Sequence, residues 1–279
     1  MTNSRQFDRI KVMMSKMNKI AVTGKGGVGK STIAASLSIS LSKPRLCAQG
    51  RGEKGKDVWL IDCDPDANIA TILGYPYPEK LQPIVELKET IQERTLTKNN
   101  GPVPFFKMNP EVSDIPEKFS IKHNGVHLML MGKLKPAKGG CFCPENAFVK
   151  SLLSHLLLKE NEVVIMDMEA GIEHLSRGTA SSVDAMLVVT EPSFSSIETT
   201  KRILTLAYQL KIKKVLIIAN KIRNAQDKDF IASAFSEKIT IQFISYNTDL
   251  EKNRGTIDGD NKILTTEIEK IILDLEKVN

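Results

Sequence analysis

Aromatic side chains are scarce in this chain: one tryptophan, four tyrosines and ten phenylalanines occur among 279 residues. A surface that binds single-stranded nucleic acid needs aromatic faces on which bases stack. The formal charge of +6 is too modest to argue for duplex binding by itself. No nucleic-acid partner is therefore expected. Cysteine is sparse too. Four cysteines in a chain of this length make no disulfide framework, so reduced thiols and a cytoplasmic location are expected. Long apolar runs are missing. Leu152-Leu153-Ser154-His155-Leu156-Leu157-Leu158 is short and interrupted against the roughly 20 residues of a membrane-spanning helix, and no membrane association is expected. Residues 1–17 carry Arg5, Arg9, Lys11 and Lys16 without an apolar core, and no secretion signal is expected. Residues 1–16 read as a flexible extension, with Met17 as an alternative start.

What remains is the composition of a soluble globular protein, 41% hydrophobic and 26% charged. Residues 17–279 read as a single α/β domain. Gly24-Lys25-Gly26-Gly27-Val28-Gly29-Lys30-Ser31-Thr32 fits the phosphate-loop pattern G-x-x-x-x-G-K-[ST]. It lies between an apolar strand, Ile20–Thr23, and a helix over Thr32–Leu41 with Ile33, Leu37 and Leu41 on one face. Glycines allow the tight turn that aims successive N–H groups at phosphate oxygens, and the helix N-terminus adds its dipole. Lys30 is expected to reach the β- and γ-phosphates of ATP or ADP, and Ser31 to ligate Mg²⁺.

Further along, Val58–Ile61 is a strand that ends in Asp62-Cys63-Asp64-Pro65-Asp66, where an open α/β sheet binds its ligands. Turn formation and capping suit Asp66 better than Asp64. Val163–Met166 is a buried strand ending in Asp167, the Walker B position, which would hold Mg²⁺ through water. Met186–Thr190, Val215–Ala219 and Ile239–Ile244 read as further strands. The Lys43–Lys56 segment reads as a basic surface loop. Residues 75–124 read as an irregular insertion on the nucleotide face, with one helical pattern over Leu81–Thr95. Helices are expected over Ser195–Leu210 and Asn261–Val278. The last of these packs Leu264, Ile268, Ile271, Ile272 and Leu275 inward and turns Glu267, Glu269, Asp274 and Glu276 outward. An interfacial membrane helix would prefer Lys and Arg there.

A second informative stretch is the loop 139–146, with Cys141 and Cys143 just before a helix that starts at Pro144. That position favours thiolate, the metal-binding form. Two inert buried cysteines are the bland alternative. A Ni²⁺ or Zn²⁺ thiolate site usually has four donors, and His123, His127, His155 and His174 show no spacing tied to the cysteines. Two copies of the pair across a two-fold axis would supply all four.

The second lysine of the loop, Lys25, completes K-G-G-x-G-K-[ST], which resembles the deviant Walker A loop of the MinD/ParA and nitrogenase iron-protein class of ATPases. The resemblance implies a doubly wound, mostly parallel sheet with helices on both faces. It also implies an ATP-dependent homodimer in which Lys25 touches the partner's nucleotide. Asp64 then stands where the class positions the attacking water. Met168–His174 resembles switch II, with the Gly171 N–H near the γ-phosphate. Asn220 resembles the base-reading Asn, and Pro192 is expected beside the nucleotide.

Phe105-Phe106-Lys107-Met108-Asn109-Pro110, Asp114-Ile115-Pro116-Glu117, His123-Asn124-Gly125, Gly140-Cys141-Phe142-Cys143-Pro144-Glu145-Asn146 and Asp167-Met168-Glu169-Ala170-Gly171-Ile172-Glu173-His174 narrow the likeness. From Met17 to about Leu275 the chain is similar to the CooC family, accessory ATPases for nickel insertion into carbon monoxide dehydrogenase. That implies ATP hydrolysis coupled to dimer formation, nickel or zinc between the paired Cys141 and Cys143, and that enzyme as client. A positioning ATPase would not need the C-x-C, an iron–sulfur carrier would be brown, and a non-enzymatic chaperone would show no turnover.

Overall fold

The computed structural model describes residues 18–46, 52–64, 66, 68–96, 107–132, 144–156, 162–169, 183–252, 255–257 and 265–277. The expectations for residues 1–16, for Cys141 and Cys143 and for Gly171 lie outside the described residues.

Apolar runs become the strands β1 (Lys19–Gly24), β4 (Asp57–Asp62), β6 (Val126–Leu130), β7 (Glu162–Asp167), β8 (Ala185–Thr190), β9 (Lys214–Ile222) and β10 (Ile241–Ser245). Their order in the sheet is β10-β9-β8-β1-β7-β4-β6, all pairs parallel. A short antiparallel strand, β5 (Ile121–His123), closes the edge beyond β6. The sheet is thus doubly wound and mostly parallel, as the loop motif implies. Both faces are covered. Ile20 and Val22 pack into one core, with Ile33, Leu37 and Ile271, while Ala21 between them joins the other, with Trp59, Phe148 and Ile203. Continuous rather than alternating apolar runs follow from burial on two sides.

Helix α1 (Lys30–Ser42) lies on the first face with α9 (Thr265–Glu276) packed on it; α3 (Lys88–Thr95), α5 (Pro144–Leu156) and α6 (Phe194–Gln209) cover the second. Shorter helices are α2 (Ile69–Ile72), α4 (Ile115–Phe119), α7 (Ala225–Ala232) and α8 (Thr248–Lys252). No helix among the described residues is long and apolar enough to cross a membrane.

Several expectations change. The Lys43–Lys56 loop carries a small hairpin, β2 (Arg45–Leu46) against β3 (Gly52–Glu53). The pattern over Leu81–Thr95 is not one helix: Leu87 at φ −75°, ψ 59° separates a 3₁₀ turn (Ile84–Glu86) from α3. The described residues of the segment 75–124 are less irregular than they read. Its Ile84, Leu87, Ile91, Val112 and Ile115 are buried against α5 and the sheet; scattered prolines hide a pattern that packing, not periodicity, organises. Asp274 is not on the solvent face of α9. It is buried, with Lys277 at 2.6 Å and Gln242 bonded to it, because β10 runs beneath that side of the helix. His127 is a satisfied histidine, stacked on Trp59 and 3.1 Å from Asp57.

Candidate nucleotide site

Five strand ends meet at one edge of the sheet. In the order β9-β8-β1-β7-β4 they bring Asn220, Glu191, the phosphate loop, Asp167 and Asp62 side by side. Binding outside the carboxyl ends of parallel strands follows from this layout.

The loop leaves β1 at Gly24, whose φ is +151° and where a Cβ would meet the Val189 carbonyl at 2.2 Å. Val28 is fully buried and pins the turn to the core. Gly29, at φ 98°, caps α1, which begins at Lys30 rather than Thr32. A Cβ on Gly29 would lie 2.5 Å from Asn220 Nδ2, so glycine is required there both by backbone and by space.

On the β4–β7 side stand carboxylates. Lys30, 6% exposed, points its amine at Asp64 Oδ2, 3.8 Å away. Ser31 Oγ donates to Asp167 Oδ2 at 2.5 Å, while Asp167 Oδ1 is buried without a hydrogen-bond partner. Burial raises Asp167 to a pKa of about 7, opposed by the Ser31 bond. Asp62 is raised to about 6, again by burial, against the backbone N–H groups of Ile69 and Asp64 that it accepts. The turn-forming role expected of Asp66 falls instead to Asp62 and Asp64, since Asp64 Oδ1 accepts the Asp66 N–H at 3.1 Å. Asp64 therefore serves the turn and faces Lys30 at once. Burial and the carboxylates Asp62, Asp167 and Asp64 push the Cys63 thiol up, so it stays protonated.

An orphaned carboxylate oxygen beside a hydroxyl is an all-oxygen donor pair of the kind that suits Mg²⁺. Among the described residues no cluster of three His, Cys, Asp or Glu holds a metal by itself. Ser31 and Asp167 would suit Mg²⁺, which usually completes its shell with phosphate oxygens and water.

On the β8–β9 side stand donors. Asn220 Nδ2 donates to the Val28 carbonyl at 2.8 Å. Lys221 Nζ donates to the Gly27 carbonyl at 2.7 Å and pairs with Glu191 Oε2 at 2.8 Å. Lys25 Nζ donates to Ser195 Oγ at 2.7 Å, at the first turn of α6. Pro192 lies in the turn between β8 and α6, next to these contacts. Ser193 caps α6, its Oγ accepting from the Ser196 N–H. Beyond Gly27, Gly29 and Thr32 opens a cavity of about 470 Å³, lined also by Asn220, Arg223 and Tyr246. The Arg223 guanidinium lies 4.5 Å from the centre of the Tyr246 ring. The volume falls in the range of small-molecule sites.

The sequence reading named Asn220 but gave Lys221 and Ser195 no role and did not single out Glu191. A lysine closing a buried apolar strand is a weak signal. Its left-handed backbone, φ +60°, is invisible in the sequence.

Residues 19–256 match the family described as the CobQ/CobB/MinD/ParA nucleotide binding domain. The carbon monoxide dehydrogenase accessory protein CooC of Rhodospirillum rubrum is 45% identical over 215 residues, 76% of this chain and 78% of that one. An uncharacterized ATP-binding protein of Methanocaldococcus jannaschii is 39% identical over 259 residues, 91% of this chain and 95% of that one. Among solved structures, MinD from the MinC:MinD complex of Aquifex aeolicus superposes with a TM-score of 0.59 at 22% identity, over 92% of this chain and 93% of that one.

Proposed function

The chain belongs to the CooC family within the CobQ/CobB/MinD/ParA nucleotide-binding class, and from that premise we propose that it is an ATP-hydrolysing metallochaperone. It binds ATP, pairs with a second copy of itself, carries nickel or zinc between two Cys141/Cys143 pairs, and assists nickel insertion into carbon monoxide dehydrogenase. The carrying observation is the convergence of Lys30, Asp64, Ser31 and Asp167 on one phosphate loop.

Each side chain then has a task. Lys30 exchanges Asp64 for the β- and γ-phosphates. Asp64, released from the ion pair, orients the water that attacks the γ-phosphorus as the bond to the β-phosphate oxygen breaks, giving ADP and phosphate. Ser31 and, through water, Asp167 would hold Mg²⁺, whose charge would offset that of the β- and γ-phosphates. Asn220 spends an N–H on Val28, which leaves its Oδ1 to accept the amino group of adenine. Gly171 and Pro192 border the nucleotide. Lys25 exchanges Ser195 for the partner's nucleotide.

The metal is cargo, and the reading of its site rests on the C-x-C position and the family. Nickel or zinc titrated into the wild type should saturate at one ion per two chains while the mass doubles. Affinity should fall at lower pH because protons compete for thiolate. Metal and dimer are linked, so each tightens the other by the same factor. Cys141→Ser/Cys143→Ser should lose both effects. A site that persists in the double variant, or that fills on a monomer, overturns the shared site, and bound iron with brown colour favours an iron–sulfur carrier instead.

A further inference from the structure

We propose that Lys221, braced by Glu191, is a positioning residue that pre-sets the phosphate loop for a polyphosphate. The inference rests on the nucleotide-binding reading above and assigns a role to residues outside the loop signature.

Two consecutive carbonyls of the loop are held by two consecutive side chains of β9. Lys221 Nζ takes Gly27 O and Asn220 Nδ2 takes Val28 O. Successive side chains of a regular strand point to opposite faces, so these two should diverge. The left-handed backbone of Lys221, φ +60°, breaks the alternation and turns both toward the loop. A bulky residue rarely adopts that conformation unless the surroundings hold it.

The consequence follows from peptide geometry. In a trans peptide the C=O of one residue and the N–H of the next point to opposite sides. Fixing the Gly27 and Val28 carbonyls toward β9 therefore aims the Val28 and Gly29 N–H groups away from β9, into the concave side of the loop. Such a row of N–H groups is an anion nest. The Val28 N–H spends itself on a long contact, 3.5 Å, to the Lys25 carbonyl, and a phosphate oxygen offers a stronger, charge-assisted bond. Gly26 and Gly27 have no neighbour within 4 Å of where a Cβ would stand, so no packing at those positions takes the place of the clamp, and whatever order the clamp supplies is order that binding need not impose.

Glu191 is what makes Lys221 reliable. Lys221 is 39% exposed and would otherwise sample many rotamers; Glu191, 25% exposed, fixes its amine at 2.8 Å. The backbone of Glu191 is itself anchored, because its N–H donates to Ser196 Oγ, which shares a buried hydrogen bond with Thr190 Oγ1.

The test uses the full chain, a fluorescent ADP and its displacement by inorganic pyrophosphate, both with Mg²⁺. Pyrophosphate has no base or ribose, so it reports the loop alone. Lys221→Met should weaken ADP and pyrophosphate in the same ratio, about tenfold for one lost charge-assisted hydrogen bond. Glu191→Gln should weaken both about threefold, and Lys221→Arg should recover most of the loss. Equal pyrophosphate affinity in wild type and Lys221→Met overturns the proposal, as does a loss confined to ADP, which would place Lys221 on the base or ribose. Should Lys221→Met fail to fold, unchanged pyrophosphate affinity in Glu191→Gln overturns it. A wild type that binds neither ligand defeats the nucleotide-binding reading first, and the clamp with it.

Discussion

On its β8–β9 flank the phosphate loop meets Asn220, Lys221 and Ser195, each with one polar atom already paired with the loop. On its β4–β7 flank it meets Asp62, Asp64 and Asp167, carboxylates packed so closely that burial raises two of them and one oxygen has no partner. The contacts of the first flank with the loop are made within the protein. The second is complete only when a cation and a phosphate arrive. Unpaired buried charge costs several times what a satisfied hydrogen bond contributes. Stability therefore resides on the β8–β9 flank and ligand dependence on the other.

The comparison breaks most sharply at Lys30, which lies between the flanks. Lys30→Ala should weaken ADP and ATP about 10³-fold, the loss of two charge-assisted hydrogen bonds of about 2 kcal/mol each. Titration calorimetry checks it, and wild-type ADP affinity in the variant would refute the assignment of the loop.

Asp64→Asn should slow hydrolysis by about 10²–10⁴, the usual weight of a group that handles the attacking water. Nucleotide affinity should hold or rise, since Lys30 loses its ion-pair partner at 3.8 Å. Steady-state turnover beside an ADP titration separates the two effects, and unchanged turnover removes Asp64 from the chemistry.

The smallest effect concerns the metal-free fold. Asp167 is raised to about 7 in the folded chain, so it binds its proton more tightly folded than unfolded. That stability is fully present below about pH 4, the unfolded value, and is lost as pH rises through about 7. Asp62, raised to about 6, adds in the same direction. With EDTA present, wild type should therefore lose stability between pH 4 and pH 8, Asp167 alone accounting for about 2–4 kcal/mol from its shift of up to three pKa units. Asp167→Asn should lose clearly less and be the more stable of the two at pH 8, while losing magnesium-dependent hydrolysis. Parallel urea curves for both proteins across that range would refute the contrast between flanks.

Much of this site was legible. Strands buried on both faces read as apolar runs, and β1, β4, β7, β8 and β9 lead into residues that the sheet places around the loop. Glycine spacing announced the turn because so few backbones can take it. Less was legible where geometry outranks residue type. Asp66 reads as the better turn former, and only the path of the chain gives the turn to Asp62 and Asp64. Asp274 sits at a polar position of its helix pattern, yet β10 passes under it and Gln242 and Lys277 pair with it. Prolines in residues 75–124 suggested irregularity, but buried Ile84, Ile91 and Ile115 tie that segment to α5.

By itself the sequence determined the phosphate loop and the buried strands, because each rests on local constraints: where glycine must stand, which runs must be buried, which charges follow them. The parallel sheet and the family came with the motifs' resemblance to known ATPases. Tertiary structure decided which residues share the site. Asn220 and Lys221 reach Val28 and Gly27 across 192 and 194 positions of chain, and Asp167 reaches Ser31 across 136. Strand order sets those meetings. β1 lies between β7 and β8, and a left-handed turn at Lys221 then points a lysine that reads as ordinary at the backbone that binds phosphate.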